Sequence, residues 1–413
     1  MRYLLAFLTF LFFTASCALV PPPPAIPSAP PPVMGWSSWN HFRTQIDENL
    51  IRAQVDALLK LGLDTLGYTF INIDDGYFGG RNTQGQILPH PTRFPHGMKA
   101  LSDYIHSRRL KAGIYTDAGI NTCASYWDQD TIGTGMGLFG HEAQDLHRLL
   151  VAWNFDFLKV DWCGGEWLGL DEQTRYTYIG RLARQLRPDV RFNVCRWRFP
   201  GSWVTQIADS WRISGDIAND FASVLRILDL NAGLWKYASP GHYNDMDMLQ
   251  VGRGMTFEED KTHFTFWCIL QSPLLLGNDL RQVSPQTLSI IRNKALLDIN
   301  QSTFVYPARR LVDYGDGEVW ARPLVSTQSG EVVVALLNRS DTAQLLSVRL
   351  ETLGINAAAG YTWEDLWTGD SAPSAVFGET IQQEVVPHGV VVWRIRGKAL
   401  PYHPFQYDDK QER

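Results

Sequence analysis

The stretch Asp156-Phe-Leu-Lys-Val-Asp161, followed by Trp162-Cys163, decides the fold of this chain. Read as a strand, it puts Phe157, Lys159 and Asp161 on one face and Leu158 and Val160 on the other. The apolar pair suits a helix-covered exterior, and the other three suit an interior with one open end. Similar short runs occur at Thr69-Phe-Ile-Asn-Ile-Asp74, Lys111-Ala-Gly-Ile-Tyr115 and Val190-Arg-Phe-Asn-Val194. Between them lie segments with helical period. Ile51, Val55, Leu58 and Leu59 share a face, and 140–153 and 172–186 read the same way. Strand and helix in alternation imply parallel strands with crossover helices. Eight strand positions, near residues 33, 70, 113, 158, 192, 212, 243 and 275, span roughly 270 residues. That matches a closed (β/α)8 TIM barrel over 33–305, a fold of about 250 residues, better than an open sheet.

The texture changes after Tyr306. Glu318-Val-Trp-Ala-Arg, Glu331-Val-Val-Val-Ala-Leu-Leu-Asn, Leu345-Leu-Ser-Val-Arg-Leu and Gly389-Val-Val-Val-Trp-Arg-Ile are β-branched or aromatic runs between turn residues. They predict a C-terminal antiparallel β-sandwich domain over 306–400, with 401–413 as a loose polar tail. At the other end, Arg2 precedes an apolar run from Tyr3 to Phe13 and the small residues Thr14-Ala-Ser-Cys-Ala18. This reads as a signal peptide over 1–18, too short to span a bilayer. Thr14-Ala-Ser-Cys17 also loosely resembles a lipoprotein box, which would put a lipid on Cys17. Residues 19–32 are a stiff proline-rich linker. The expectation is a secreted, periplasmic or cell-surface protein, held to a membrane only through that lipid.

The composition closes off other classes. Of 413 residues, 45% are hydrophobic, enough for a sizeable core and too many for disorder. A net charge of -6 leaves no basic footprint for nucleic acid. Of the five cysteines, Cys123, Cys163, Cys195 and Cys268 lie beyond the signal, which suggests one bridge and two buried thiols. Oligomeric state is not legible in the sequence.

In a parallel α/β barrel the chemistry sits where strands end. The second strand ends at Asp74-Asp75-Gly76-Tyr77, the third at Tyr115-Thr-Asp117 and the fourth at Lys159-Val-Asp161. The sixth carries Trp211-Arg212, followed by Gly215-Asp216, and the seventh leads into Asn244-Asp-Met-Asp-Met248. One Lys–Asp pair alone reads as a structural ion pair; carboxylates at five strand ends read as a site. Two carboxylates flanking a glycosidic bond suffice for sugar hydrolysis, provided one is ionised and the other protonated. Asp161, beside the Lys159 ammonium, is expected to be the ionised nucleophile. Asp216 is expected to be the proton donor, although its place before Ile217 also suits a helix N-cap. Asp74-Asp75 and Asp245/Asp247 would also suit a metal, but His41, His242 and His263 form no ligand pattern with them. Neither a metal nor a cofactor is therefore expected.

Together these segments resemble the α-galactosidases of glycoside hydrolase family 27. The resemblance rests on Met34-Gly-Trp-Ser-Ser-Trp-Asn40, Ile73-Asp-Asp-Gly-Tyr77, Gly113-Ile-Tyr-Thr-Asp-Ala-Gly119, Leu158-Lys-Val-Asp-Trp-Cys163, Trp211-Arg-Ile-Ser-Gly-Asp-Ile217 and Asn244-Asp-Met-Asp-Met248, in that order. It implies a retaining mechanism with Asp161 as nucleophile and Asp216 as acid/base. It implies that Asp74 and Asp75 hold the galactose 4- and 6-hydroxyls, that Lys159 and Arg212 lie near the 3-, 4- and 2-hydroxyls, and that Trp39, Tyr115 and Met248 wall the pocket. It also implies a Cys123–Cys163 disulfide. The chain departs from the family where Cys-Glu-Trp is usual. Here Cys195-Arg196-Trp197-Arg198-Phe199 puts Arg196 at the contact with the 2-substituent. That departure keeps other sugars open, namely a β-L-arabinopyranoside, an α-N-acetylgalactosaminide or an α-glucan. Gly76 stands where the family has a cysteine, so a second bridge is not expected.

Overall fold

The computed structural model describes residues 29–373, 378–402 and 404–405. The signal peptide, the Cys17 lipid site and most of the linker and tail lie outside the described residues. Eight parallel strands build the first domain: β1 Met34–Ser37, β2 Phe70–Ile73, β3 Lys111–Asp117, β4 Phe157–Asp161, β5 Arg191–Val194, β6 Ser210–Arg212, β7 Tyr243–Asp245 and β8 Leu274–Leu276. Their order in the sheet is β8-β1-β2-β3-β4-β5-β6-β7, each pair in parallel register. The eighth joint is made just past β7, where Leu249 bridges Leu276 and its N–H donates to Leu275 O at 2.8 Å. All eight strands fall where the alternating runs predicted.

The helical faces fall on their period. Helix Glu48–Lys60 buries Ile51, Val55 and Leu58, and the Asp47 side chain caps it by accepting Leu50 N–H. Helix Glu172–Leu186 starts on Asp171, which accepts Thr174 N–H. The predicted helix over 140–153 is a short α-helix, Glu142–His147, that widens into a π turn over Arg148–Ala152. One unanticipated element, a hairpin of Phe78–Arg81 against Ile87–Pro89, follows β2. Its Gly79-Gly80 pair and Asn82-Thr-Gln-Gly turn leave too short an apolar signal to read.

The second domain contributes β9 Arg309–Asp313, β10 Gly317–Pro323, β11 Glu331–Asn338, β12 Gln344–Arg349, β13 Tyr361–Asp365, β14 Ser371–Pro373, β15 Thr380–Val385 and β16 Val390–Gly397. A six-stranded antiparallel sheet, β9-β10-β11-β16-β13-β14, packs against the ribbon β12-β15. Strand β11 explains its own uninterrupted apolar run. Val332, Val334 and Leu336 face the ribbon's Leu346, Val348 and Ile381, whereas Val333, Ala335 and Leu337 join the barrel core. A sheet covered on both faces needs apolar residues at every position, so the sandwich is fused to the barrel.

Of the predicted tail, residues 401, 402, 404 and 405 are described, and one of them is anchored. Phe405 is buried in the sandwich core, its ring against Tyr306, and Tyr306 Oη donates to its carbonyl. A single aromatic anchor outweighs the polar composition around it. The end of the linker is pinned as well: Tyr243 Oη, Arg191 and Gln301 donate to the carbonyls of Pro30, Pro31 and Pro32.

Candidate active site

The strand ends converge on one cavity of about 460 Å³. Asp74, Asp75, Tyr115, Lys159, Asp161, Arg212, Asp216, Trp39 and Met248 all line it. Alternation along β4 does the placing. Phe157, Lys159 and Asp161 point inward, while Leu158 and Val160 are fully buried in the core beneath the helices.

Asp161 ends β4, with its side chain 7% exposed. Its Oδ2 lies 3.9 Å from Lys159 Nζ and 3.3 Å from Cys123 Sγ, and the Cys195 thiol donates to the carboxylate. Its Oδ1 takes no hydrogen bond from the protein. Burial pushes its pKa up to about 6, moderated by the Lys159 charge. Asp216 stands at the mouth, 65% exposed, and accepts from Arg212 at 3.0 Å. Burial opposes its ionised form, but the charges of Arg212 and Lys159 prevail and hold its carboxyl below the usual carboxylate value. The two carboxylates raise one another's electrostatic cost: Asp216 is among the groups that lift Asp161.

This reverses the expected protonation of the free pocket. The sequence reading gave the depressed carboxyl to Asp161 and the raised one to Asp216. Burial of Asp161 outweighs the help of Lys159 at 3.9 Å, and the Asp74 carboxylate, 2.9 Å from the same ammonium, adds a like charge that raises Asp161 further. Arg212, fully enclosed, serves the exposed Asp216 instead and also pairs with Asp247 at 2.8 Å.

The other pocket carboxylates have protein partners of their own. Asp74 accepts from Lys159 and from Asp75 N–H. Asp75 accepts Ala124 N–H at 3.0 Å and Gly76 N–H at 2.8 Å, and burial pushes its pKa up to about 7. Gly76 needs its glycine. Its φ is +107°, and a Cβ would stand 2.8 Å from the Thr44 backbone. Asp247, backbone φ +77°, accepts Met248 and Ile217 N–H groups, and burial lifts it to about 6. The Tyr115 hydroxyl accepts Cys123 N–H, and Lys159 lies over the Tyr115 ring.

Cys123 and Cys163 are joined in a disulfide, and Cys195 and Cys268 are buried thiols. The bridge requires the loops after β3 and β4 to touch. They do so at Gly119 and Gly164, where a Cβ on Gly119 would lie 1.9 Å from the Gly164 carbonyl carbon. Asp117 beside the bridge accepts from Gly119 and Gly164 N–H groups, so this Asp–Cys–Cys cluster offers no thiolate to a metal. His263 accepts Gln250 N–H, and burial lowers its pKa to about 3, which keeps it a neutral structural ring.

Arg196 is not among the residues that line the cavity. Its guanidinium pairs with Glu166 at 2.7 Å and with Glu172, turned away from the cavity, and Phe199 packs on Tyr237. Trp197 lines the cavity in their place, at φ +57°. Only the family's Cys-Glu-Trp pattern puts Arg196 at the cavity; the strand ends at Val194, and the left-handed backbone is at Trp197. Asp247, Trp127, Asn193 and Gln250 also line the cavity and were not singled out as sugar contacts. Asp247 had a legible signal, alternating with Asp245 at a strand end. Trp127 had one only through its spacing of four from Cys123.

The chain is similar to known proteins over most of its length. The family model described as alpha galactosidase A matches residues 31–302, and the alpha galactosidase C-terminal beta sandwich domain matches 314–395. The chain is 37% identical over 388 residues to alpha-galactosidase A of Cellvibrio japonicus, covering 88% of this chain and 91% of that protein. It is 38% identical over 340 residues to alpha-galactosidase 2 of Arabidopsis thaliana, covering 81% and 82%. Among solved structures, alpha-galactosidase I from Mortierella vinacea superimposes with a TM-score of 0.82 at 30% identity, covering 90% of this chain and 98% of that one.

Proposed function

The chain belongs to the alpha-galactosidase family of glycoside hydrolases, and on that premise we propose that it is a retaining exo-glycosidase. It removes terminal α-D-galactosyl residues from oligo- or polysaccharides by double displacement. The observation that carries this reading is the pair Asp161 and Asp216 on one cavity. One is enclosed with a free oxygen, and the other stands at the mouth. Asp161 Oδ1 attacks the anomeric carbon. The bond from that carbon to the leaving oxygen breaks as Asp216 delivers its proton to that oxygen. Asp216 then takes a proton from water, the water oxygen bonds to the anomeric carbon, and Asp161 leaves. Such pairs stand about 5–5.5 Å apart in retaining enzymes. In this reading Asp74, Asp75 and Lys159, which line the same cavity, hold the 3-, 4- and 6-hydroxyls, and Arg212 the 2-hydroxyl.

The inverted pKa order has a consequence for turnover. When the pair Asp161 and Asp216 holds one proton, it resides mostly on Asp161, and the productive tautomer is the minor one. A 2-hydroxyl that engages Arg212 loosens its hold on Asp216, which raises the Asp216 pKa towards that of a proton donor. The free-enzyme rate is then bell-shaped in pH, falling above about 6 as the pair loses its last proton.

The apolar run 3–13 supports export. Among the described residues no helix is long and apolar enough to cross a membrane. A panel of aryl glycosides, with the first product anomer read by NMR, tests the activity. The expected result is a dominant rate on the α-galactoside and α-galactose formed first. A dominant rate on a β-L-arabinopyranoside, an α-N-acetylgalactosaminide or an α-glucan replaces the sugar, β-galactose first replaces the retaining mechanism, and full activity in Asp161→Asn refutes the nucleophile.

A further inference from the structure

The bridged cysteines open two one-turn helices of the same pattern, Cys123-Ala-Ser-Tyr-Trp127 and Cys163-Gly-Gly-Glu-Trp167. Each carries a tryptophan four residues after its cysteine, about one helical turn along. Both tryptophans are exposed: Trp127 by 71% and Trp167 by 70%. Tyr126, the residue before Trp127, stacks on Trp167 with ring centroids 5.6 Å apart and planes 15° from parallel. Trp127 also lines the cavity. The disulfide therefore ties a stacked aromatic surface to the wall of the pocket beside Asp161.

Large exposed aromatic rings are costly to hydrate, and contiguous ones mark binding surfaces. The flanking charges indicate what binds. Arg43 pairs with Asp128, and Arg196 and Arg198 between them pair with Glu166 and Glu172. These partners cancel one another, so the rim offers flat aromatic faces and hydrogen-bonding groups with little net field. A neutral, hydroxyl-rich ring with one apolar face matches that surface better than a charged ligand or a lipid. We infer that the Tyr126–Trp167 stack, with Trp127, is a docking platform for the sugar rings on the leaving-group side, so that the substrate is an α-galactosyl branch on a longer neutral glycan. This rests on the proposed activity and adds its substrate class. Binding energy gathered remotely on the platform lowers the barrier at Asp161 only for substrates long enough to reach it.

The test compares galactomannan with α-galactosyl fluoride, whose leaving group has no ring to stack. Trp167→Ala is expected to lower kcat/KM for galactose release from galactomannan about fivefold or more, since buried tryptophan anchors commonly contribute that much. It should leave the fluoride within about twofold, and Trp167→Phe should restore most of the loss. Equal loss on both substrates, or no loss on galactomannan, overturns the platform. Native gel electrophoresis in galactomannan with Asp161→Asn protein gives a readout without turnover. Retardation by the glycan that disappears in Asp161→Asn/Trp167→Ala supports the platform even if no galactoside is hydrolysed, an outcome that would defeat the proposed activity alone. Retardation unaffected by the tryptophan overturns the platform while leaving the activity standing.

Discussion

Replacing Asp216 by Asn isolates the ionisation of Asp161. With α-galactosyl fluoride the leaving group needs no proton, so kcat/KM reports the first step and requires only that Asp161 be charged. Burial holds Asp161 at about 6. At pH 4, two units below, about 1% of the carboxyl is ionised, so the rate should climb about 100-fold between pH 4 and a plateau above pH 7. Removing the Asp216 charge eases ionisation of Asp161, so the limb should fall at or slightly below 6. On an aryl or alkyl α-galactoside, whose leaving oxygen does need the Asp216 proton, the wild-type profile instead declines above about 6. Adding Lys159→Met supplies an internal control. A unit charge 3.9 Å away contributes about 4 kcal/mol at an effective dielectric of about 20, or about three pKa units. Solvent and rearrangement of Asp74, which loses its 2.9 Å partner, dampen that figure, so the limb should rise by between about one and three units. Stopped-flow fluoride release across pH 3.5–9 measures both. A flat profile in Asp216→Asn would show that Asp161 is already ionised at pH 4 and refute the burial argument. A limb that moves down on loss of Lys159 would refute the ion-pair argument.

Removing the bridge by Cys123→Ser and Cys163→Ser frees a loop of about 40 residues, worth about 4 kcal/mol in the chain-entropy account. Limited proteolysis should then cut within residues 118–169 before the rest of the barrel. Equal resistance with and without the bridge contradicts the clamp. Arg196→Ala should change kcat/KM on an α-galactoside by less than about threefold, because its partners are Glu166 and Glu172 outside the cavity. A hundredfold loss would return Arg196 to the sugar. The folded protein holds Asp75 and Asp260 at about 7 and Asp161 and Asp247 at about 6, against the ordinary carboxyl value of 3.8. These groups bind protons more tightly folded than unfolded, so their contribution is full below about 3.8 and lost as pH rises through 6 to 7. Scanning calorimetry should find a lower Tm at pH 8 than at pH 5, and Asp75→Asn should flatten the difference; a Tm rising over that range sinks the assignment.

Much of the site was legible because a barrel strand obeys two simple rules. Side chains alternate, and chemistry gathers at the C-terminal ends. Lys159 and Asp161 follow directly from those rules, as do Asp74, Tyr115 and Arg212. Trp197 escaped because it lies beyond the strand, where alternation no longer applies; it lines the cavity while Arg196 pairs with Glu166 and Glu172. Phe405 escaped because burial of one ring depends on a partner, Tyr306, 99 residues away.

The sequence by itself determined the elements and the residue types at each rim position, because periodicity and strand-end placement are local properties of the chain. Which carboxyl holds the proton was decided only by the tertiary structure. That choice depends on whether Lys159 stands nearer Asp74 or Asp161, on how far Arg212 reaches towards Asp216, and on how much water each carboxylate keeps. The pairing of two distant Cys-x-x-x-Trp turns into one aromatic surface was likewise a matter of three-dimensional contact. Electrostatic energies and stacking follow distances of a few ångströms between groups far apart in the chain, and no local pattern encodes those distances.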